Sequence, residues 1–264
     1  MQQLKLAGAV VTHCGNVRQV NEDAVCERPL ANIWAVADGM GGHSRGEWAS
    51  AKISEFLSDV AVPDDFDQAC HALADSIHEA NRVIFTESRE RGEQMGSTVV
   101  ALHISDDRFA ILWIGDSRAY LLRDGQLIRL TTDHSLVQEM IERGALDPAE
   151  AARHEMRNML SRAVGVMDDV QVDIVVDQAL PEDVFLLCSD GLTGQLSDEE
   201  IAAVLASQDT RKAVETLLEQ VLERGAPDNV SIVAVDVGEP TQLMITEVDG
   251  VLGEADAAQD PGAA

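Results

Sequence analysis

Apolar and polar positions along the chain form blocks that predict strands, then helices, then strands again. Residues 4–11 and 33–37 are short apolar runs, and the second is continuous enough to predict a strand buried on both faces. Residues 49–60 and 69–84 carry apolar side chains at helical spacing, which predicts two amphipathic helices packed on a sheet. An antiparallel meander of four strands is predicted next, at residues 97–104, 108–114, 118–123 and 126–130.

The second half of the chain continues this alternation after a long polar segment. Residues 131–161 hold only short helical pieces, and such a segment within a series of strands predicts a lid or recognition flap. Strands follow at 170–176, 184–188 and 229–237, with helices at 201–205, after an S-x-x-E capping box, and at 210–224. This order predicts an α+β fold in which two mainly antiparallel sheets pack between helical layers.

Residues 1–238 are predicted to form one domain, and residues 239–264 an acidic C-terminal tail. The length of 264 residues and the hydrophobic content of 45% suffice for one large core. Within the tail, residues 243–248 fit one extra strand. Residues 250–264 are small, acidic and without apolar periodicity, which predicts disorder.

The strongly acidic composition narrows the partners that the chain can have. It holds 47 Asp and Glu against 19 Lys and Arg, a formal net charge of −28. Nucleic acids and anionic membrane surfaces attract basic patches, so we expect neither as a partner. The four cysteines lack C-x-x-C spacing, and the sequence shows no signal-like N-terminus or membrane-length apolar run, which predicts a cytoplasmic protein. The acidic balance is compatible with a site that collects divalent cations.

Four aspartates stand at the borders of strongly apolar runs. Asp38 and Asp190 each follow such a run and precede a glycine, Asp116 follows another, and Asp228 comes just before the last one. A single Asp-Gly pair is most simply a turn, and the pair at 124–125, between runs of mixed polarity, predicts a hairpin turn. A carboxylate at the end of a buried strand, by contrast, is costly unless a partner such as a cation pairs with it. Because the arrangement recurs, we expect the four side chains to converge.

The polar connection at residues 13–23 holds a further candidate. A loop this charged between two apolar runs is commonly a solvated one. Arg18 is nonetheless a candidate anion ligand, because a guanidinium group binds phosphate in a bidentate way.

Seven short motifs occur in a fixed order along the chain. They are R-x-x-N-E-D at 18–23, V-A-D-G-M-G-G-H at 36–43, G-S-T at 96–98, G-D-S-R at 115–118, D-H-S at 133–135, S-D-G at 189–191 and D-N at 228–229. Each motif is weak alone, but the ordered set resembles the signature of the metal-dependent PP2C-type (PPM) protein serine/threonine phosphatases, in particular their bacterial branch. The resemblance spans about residues 4–237. It implies an α-β-β-α sandwich with a helix pair outside each sheet.

The resemblance also implies a set of metal ligands. A pair of Mn²⁺ or Mg²⁺ ions would be held by Asp38, the Gly39 carbonyl, Asp190 and Asp228. A third, weaker ion would be held by Asp116 together with Asp190. These ions prefer carboxylate, carbonyl and water oxygens, so the lack of His and Cys ligands fits them.

The activity that the resemblance implies is hydrolysis of phosphoserine and phosphothreonine on proteins, by a monomer that opposes a Ser/Thr kinase. A water held between two ions can attack phosphorus directly, so no phosphoenzyme intermediate is needed. Arg18 would act with the aspartates of the central pair as the catalytic group, by binding the substrate phosphate. Glu22 and Asp23 would orient the waters bound to the metals.

One position departs from the eukaryotic pattern, in which a proposed acid, histidine, follows the Asp-Gly pair. Met40 stands there, as in bacterial relatives, and a metal-bound water is the simpler proton donor. His43 is predicted to cap or pack at the start of a helix instead. The sequence leaves two other hypotheses open: an inactive regulator with this fold, and an acidic ion-binding protein without hydrolysis. The complete set of candidate residues disfavours the first, and Arg18 with the ordered motifs disfavours the second.

Overall fold

Two antiparallel sheets pack face to face in the computed structural model, which describes residues 4–41, 45–151 and 154–239. The first sheet contains β1 (Lys5–His13), β7 (Arg118–Arg123), β8 (Gln126–Arg129), β10 (Val184–Cys188) and β11 (Val230–Gly238), in the spatial order β1-β11-β10-β7-β8. The second contains β2 (Asp23–Arg28), β3 (Ile33–Met40), β5 (Val99–Ser105), β6 (Arg108–Ile114) and β9 (Asp173–Gln178), in the order β2-β3-β5-β6-β9. The short β4 (Gly96–Ser97) pairs with the end of β3.

Helices cover the outer face of each sheet. α1 (Arg45–Asp59) and α2 (Phe66–Arg91) pack on the second sheet, while α5 (Asp190–Thr193), α6 (Asp198–Ser207) and α7 (Thr210–Glu223) pack on the first. α3 (Leu136–Glu142) and α4 (Pro148–Ala151) lie in the predicted flap. Among the helices that the structure describes, none is both long and apolar enough to cross a membrane. The predicted α+β sandwich is confirmed.

Three apolar layers hold the sandwich together. Trp34, Phe109 and Phe185 are fully or almost fully buried between the two sheets. Ile53 and Leu73 represent the layer under α1 and α2. A third layer, between the first sheet and its helices, contains the buried side chains of α6 and α7. Because strands with helices on one face and a sheet on the other are buried on both faces, they read as continuous apolar runs.

Local signals set the ends of several helices as the sequence predicts. The Asp65 side chain accepts a hydrogen bond from the Gln68 backbone N–H at the start of α2, and Gly92 ends that helix in a left-handed conformation. The predicted S-x-x-E capping box begins α6, with Ser197 and Glu200 each bonding the other's backbone N–H.

The predicted four-stranded meander is wrong. β5 and β6 pair in the second sheet, and β7 and β8 pair in the first, so the chain crosses from one sheet to the other in the β6–β7 turn. The sequence hides this crossing, because β6 and β7 carry equally apolar runs whichever sheet they join. The Asp-Gly pair at 124–125 does form the predicted hairpin turn, with Arg123 paired to Gln126.

Three further features of the site region differ from the sequence-based expectations. β3 continues through the Asp-Gly pair to Met40 instead of ending before it, because β2 and β4 pair with this part of the strand. β2 was not predicted, and it begins at Asp23 inside what the pattern marks as a polar loop. α5 was also not predicted, since a four-residue helix has no apolar period to detect. The predicted strand at 243–248, the acidic tail from 240 onward, and His43 lie outside the described residues.

Candidate active site

The four predicted aspartates lie around one cavity at a common edge of the two sheets. Asp38 is near the end of β3, Asp116 is in the β6–β7 turn, Asp190 begins α5 directly after β10, and Asp228 comes two residues before β11. The cavity has a volume of about 310 Å³. It is lined by Arg18, Glu22, Asp38, Gly39, Met40, Gly41, Thr98, Asp116, Asn158, Leu160, Asp190, Asp228 and Asn229.

Glycines after two of these aspartates let separate backbones approach closely. A Cβ atom on Gly39 would lie 2.1 Å from the Gly46 carbonyl oxygen at the start of α1. A Cβ atom on Gly191 would lie 1.9 Å from the Asn229 carbonyl oxygen. Neither distance is possible for a real side chain, so glycine is required at both positions by contact and not by turn geometry. The hairpin glycine, Gly125, differs in having φ near +73° and open space around it.

The hydroxyl groups of Ser97, in β4, and of Thr98, between β4 and β5, fix the backbone around Asp38. The Asp38 N–H donates to Thr98 Oγ1 at 3.0 Å, and the Asp38 carbonyl oxygen accepts from the Thr98 N–H at 2.8 Å and from Ser97 Oγ at 2.9 Å. Thr98 Oγ1 and Ser117 Oγ are 2.6 Å apart. Thr98 therefore joins the strand that carries Asp38 to the turn that carries Asp116.

Asn229 ties the β1–β2 loop to the start of β11. Its Oδ1 accepts a hydrogen bond from the Glu22 N–H at 2.8 Å, and its Nδ2 donates to the carbonyl oxygens of Cys14 and Val20, both at 3.0 Å. The loop that carries Arg18 is thereby held beside Asp228. Sequence analysis found Asn229 only as half of an Asp-Asn motif and gave it no role.

Arg18 lies at the mouth of the cavity and forms an ion pair with Asp228. Its Nη2 is 2.8 Å from Asp228 Oδ2, and the two side chains are 50% and 40% exposed. The hydrogen bond that Arg18 donates to Asp228, together with the negative charge of Asp228, raises the pKa of Arg18 further above its ordinary value. A fixed positive charge is thus present where an anionic ligand would enter.

Burial and mutual repulsion raise the pKa of the clustered carboxyl groups. Burial, then the charges of Asp23 and Asp190, raises the pKa of Asp38 well above its ordinary value. Burial, then the charge of Asp228, raises the pKa of Asp190. The pKa of Asp116 is raised to about 7, first by burial and then by the charge of Asp190. Without an added cation, these carboxylates repel one another in a poorly solvated space.

Asp23 lies beneath the cavity and not in its wall. It pairs with Asp38 across β2 and β3, and its Oδ2 accepts a hydrogen bond from Ser189 Oγ at 2.8 Å. Burial raises the pKa of Asp23 to about 7, although hydrogen bonds from Ser231 and Ser189 act in the opposite direction. Asp23 Oδ1 and Glu22 Oε1 are buried and have no hydrogen-bond partner among the described residues.

His134 holds the turn that carries Asp116, through two hydrogen bonds to Gly115 that we call the histidine clip. His134 Nδ1 accepts a hydrogen bond from the Gly115 N–H at 3.0 Å, and the His134 backbone N–H donates to the Gly115 carbonyl oxygen at 2.9 Å. Its Nε2 lies 3.2 Å from Asp173 Oδ2, and its ring stacks on Trp113. Burial lowers the pKa of His134, so a neutral ring with its proton on Nε2 satisfies all three contacts. Sequence analysis found this residue in the D-H-S motif without a role.

The residues around the cavity fit divalent cations with oxygen ligands. Several carboxylates meet a single guanidinium group there, and two buried carboxylate oxygens lack partners. In the part of the chain that the structure describes, no group of three or more His, Cys, Asp or Glu side chains is arranged to hold a metal ion by itself. Mg²⁺ and Mn²⁺ bind to few protein carboxylates and retain several waters, so an open arrangement of this kind suits them.

Two cavity residues come from the predicted flap and were not singled out from the sequence. Asn158 and Leu160 lie at its C-terminal end and face the aspartates across the cavity. Nothing in the local pattern marks them, since residues 155–159 have neither strand nor helix periodicity. Only the fold brings this stretch back to the strand ends.

Comparisons with known proteins agree with this geometry. Residues 12–231 match the family described as Protein phosphatase 2C. The chain is 36% identical over 225 residues to the serine/threonine protein phosphatase PstP of Mycobacterium tuberculosis, a match that covers 84% of this chain and 43% of PstP. It therefore spans less than half the length of that relative.

A second relative and a solved structure match over nearly their full lengths. The serine/threonine phosphatase Stp of Listeria monocytogenes is 34% identical over 238 residues, covering 85% of this chain and 93% of Stp. The crystal structure of the PstP catalytic domain in complex with two manganese ions superposes with a TM-score of 0.80 at 34% identity, covering 90% of this chain and 100% of that domain.

Proposed function

Because this chain belongs to the protein phosphatase 2C family of metal-dependent serine/threonine phosphatases, we propose that it hydrolyses phosphoserine and phosphothreonine on proteins by direct attack of water on phosphorus. The observation that carries the proposal is the cavity in which Asp38, Asp116, Asp190 and Asp228 face Arg18. Bound cations and a guanidinium group can both neutralise the charge of a phosphate ester, and this cavity offers carboxylates for the cations and Arg18 for the phosphate.

Separate groups of residues would hold the cations. Asp38, the Gly39 carbonyl, Asp190 and Asp228 would hold a central pair of Mn²⁺ or Mg²⁺ ions, and Asp116 with Asp190 a third, weaker one. When bound, such ions polarise phosphoryl oxygens and lower the pKa of a coordinated water toward neutrality. Among neighbouring charges, that of Asp190 raises the pKa of Asp116 most, which supports the assignment of these two carboxylates to one ion.

Arg18 would bind the phosphate of the substrate. Its guanidinium group has five N–H donors, and the ion pair with Asp228 uses one nitrogen, Nη2. The remaining donors are available for two phosphoryl oxygens, while Asp228 keeps the guanidinium group oriented toward the cavity. We therefore expect Arg18→Ala to raise KM more than it lowers kcat.

Glu22 and Asp23 would accept hydrogen bonds from coordinated waters. Glu22 lines the cavity, and Asp23 lies directly beneath Asp38. The unpaired oxygens, Glu22 Oε1 and Asp23 Oδ1, are the acceptors that such waters need.

The side chains around the cavity support direct hydrolysis without a phosphoenzyme. In the described part of its wall, Thr98 is the hydroxyl-bearing residue, and cysteine is absent. Thr98 Oγ1 is already engaged with the Asp38 N–H and with Ser117 Oγ, which disfavours it as a nucleophile.

The test is turnover of a phosphoserine peptide by protein freed of metal with EDTA. We expect no turnover until Mn²⁺ or Mg²⁺ is added, and no acid-stable or hydroxylamine-labile ³²P label on the protein during turnover. Full activity in excess EDTA, or a labelled protein intermediate, would contradict the proposed mechanism.

The proposal also covers the kinase that the enzyme opposes, its oligomeric state and its location in the cell. Phosphoserine on a protein has to be supplied by a Ser/Thr kinase, so we infer that this protein opposes one. The candidate site is built from residues of a single chain, which supports action as a monomer. The four cysteines are free thiols, which supports a reducing, cytoplasmic location.

A further inference from the structure

A second cavity opens beside the catalytic one and shares part of its wall. Met40 and Leu160 line both cavities. The second cavity, with a volume of about 370 Å³, continues along residues 159–163 and 166–171 and reaches Gln94 after α2. We call it the side groove. We propose that the side groove binds an apolar side chain that flanks the phosphorylated residue of the substrate protein, an inference that rests on the proposed phosphatase function.

The wall of the side groove is preformed. Asn81 of α2 is 1% exposed, and its Nδ2 donates to the carbonyl oxygens of Met167 and Asp168 at 3.0 and 3.1 Å. Its Oδ1 accepts from the Gly165 N–H at 2.6 Å. One buried amide side chain therefore fixes three positions within four residues of the loop that forms the groove. A site that is ordered before binding loses less conformational entropy when a ligand enters.

Close packing also fixes the floor of the groove. A Cβ atom on Gly96 would lie 3.0 Å from Met40 Cε and 3.0 Å from Val166 Cγ2, so these two side chains meet over a glycine. Ser97, the next residue, forms two backbone hydrogen bonds with Val164, at 3.0 and 2.9 Å. The groove is thus continuous with β4, and β4 pairs with the end of β3 beside Asp38.

The chemistry of the groove favours an apolar occupant. Met159 and Met167 on its rim are 51% and 63% exposed, although large apolar side chains are usually withdrawn from solvent. Methionine adapts its shape to varied apolar partners, which suits a substrate-binding surface. Arg162 does not offer a free charge, because its Nη1 pairs with Asp173 Oδ1 at 2.7 Å and also donates to the Gln171 carbonyl oxygen. Asp169 on the rim would repel an acidic side chain.

The groove also lies within reach of a peptide whose phosphate is in the catalytic cavity. An extended chain advances about 3.3 Å per residue, so a wall shared by the two cavities places the occupant within about three residues of the phosphorylated one. A third cavity also adjoins the catalytic one, and its wall is more polar, with the charged side chains of Arg118, Arg129 and Asp133. An apolar preference is therefore expected on one side of the phosphorylated residue and not on both.

The test compares wild-type protein with Met167→Glu on two kinds of substrate, with Mn²⁺ present. One is p-nitrophenyl phosphate, which is too small to reach the groove. The other is a set of phosphoserine peptides in an alanine background, with leucine placed in turn at each of four positions on either side. We expect one position at which leucine raises kcat/KM of the wild type about tenfold over alanine, a gain consistent with partial burial of one side chain. Met167→Glu should reduce that gain to about twofold or less, because the new carboxylate opposes apolar burial.

The exposed apolar residue Leu30, in the turn between β2 and β3, provides the matched control. Leu30 is fully solvent-exposed, so Leu30→Glu adds the same charge far from the groove and should behave as wild type. A flat leucine profile in the wild type would overturn the proposal, and so would an equal loss by Met167→Glu on the aryl phosphate and on the peptides. If the wild type hydrolyses neither kind of substrate with Mn²⁺, the proposed function itself has failed.

Discussion

Replacing Asp116 with asparagine measures how much the ionised Asp116 carboxylate destabilises the fold of the metal-free protein. Burial and the charge of Asp190 raise the pKa of Asp116 from 3.8 to about 7. At about 1.4 kcal/mol per pKa unit, its ionisation destabilises the folded state by at most about 4 kcal/mol at pH 8. Water entering the cavity screens part of this destabilisation. We therefore expect Asp116→Asn to raise the free energy of unfolding by about half of it, near 2 kcal/mol. For a domain of this size that corresponds to a rise in Tm of about 4–8 °C for the metal-free variant.

The pH dependence of this stabilisation follows from the direction of the pKa shift. The unfolded chain loses the Asp116 proton near pH 3.8, while the folded chain keeps it until about pH 7. Across that interval the folded state binds more protons, so the wild type loses stability as the pH rises from about 4 to about 7. The advantage of Asp116→Asn should therefore be largest at pH 8 and shrink progressively toward pH 4.

Thermal unfolding followed by circular dichroism, in EDTA at several pH values, measures this difference. Asp124→Asn is the matched control, since it removes one carboxylate from an exposed hairpin turn. Added Mn²⁺ should reduce or reverse the difference in Tm between Asp116→Asn and the wild type. A bound ion stabilises the folded wild type more, the more tightly it binds. If Asp116→Asn melts no higher than Asp124→Asn at pH 8 without metal, the repulsion inferred for this cavity is wrong.

Three other substitutions test separate parts of the site. Asp190→Asn should lower kcat by more than about 100-fold while the circular dichroism spectrum is retained, since even residues that only hydrogen-bond to metal ligands contribute about 10–100-fold. A rate within tenfold of wild type would show that Asp190 is not a metal ligand. Gly191→Ala should destabilise the fold by about 1–3 kcal/mol in urea unfolding, because its Cβ would overlap the Asn229 carbonyl oxygen, whereas Gly238→Ala, whose Cβ has room, should not. His134→Ala should cost about 1–3 kcal/mol by leaving the Gly115 N–H unpaired, and should weaken Mn²⁺ binding in calorimetry by displacing the turn of Asp116; unchanged metal binding would show that the clip is structural alone.

Much of the architecture was predictable because buried runs and amphipathic stripes are strong local signals. β6, β7 and β10 have the predicted bounds, and the sandwich and the family resemblance are both confirmed. The crossing of the chain between sheets was not predictable, because it depends on which partner each strand finds and not on its own sequence. β2 is hard to recognise because it has only three apolar residues, at 24–26, and its charged ends continue the charged loop that precedes it.

The aspartates could be found from the sequence because each lies beside a buried apolar run. A carboxylate in that position destabilises the fold unless it is paired or binds a cation, so four such positions in one chain indicate a functional site. Asn158, Leu160 and the histidine clip carry no such signal. Asn158 and Leu160 are ordinary residues of an irregular segment, and His134 acts through a backbone N–H that only the folded turn presents. Their roles depend on three-dimensional proximity alone.

The position of the cavity links metal binding to the packing of the two sheets. Asp38 belongs to the second sheet, whereas Asp190 and Asp228 flank strands of the first. The neighbouring arginines relieve the repulsion between them only in part, because Arg118 and Arg129 both pair with Asp133. In the metal-free protein the carboxylates therefore oppose close contact of the sheets at this edge, while the apolar layer behind them favours it. We expect a divalent cation ligated from both sides to remove this opposition, and thereby to stabilise the contact between the two sheets at this edge.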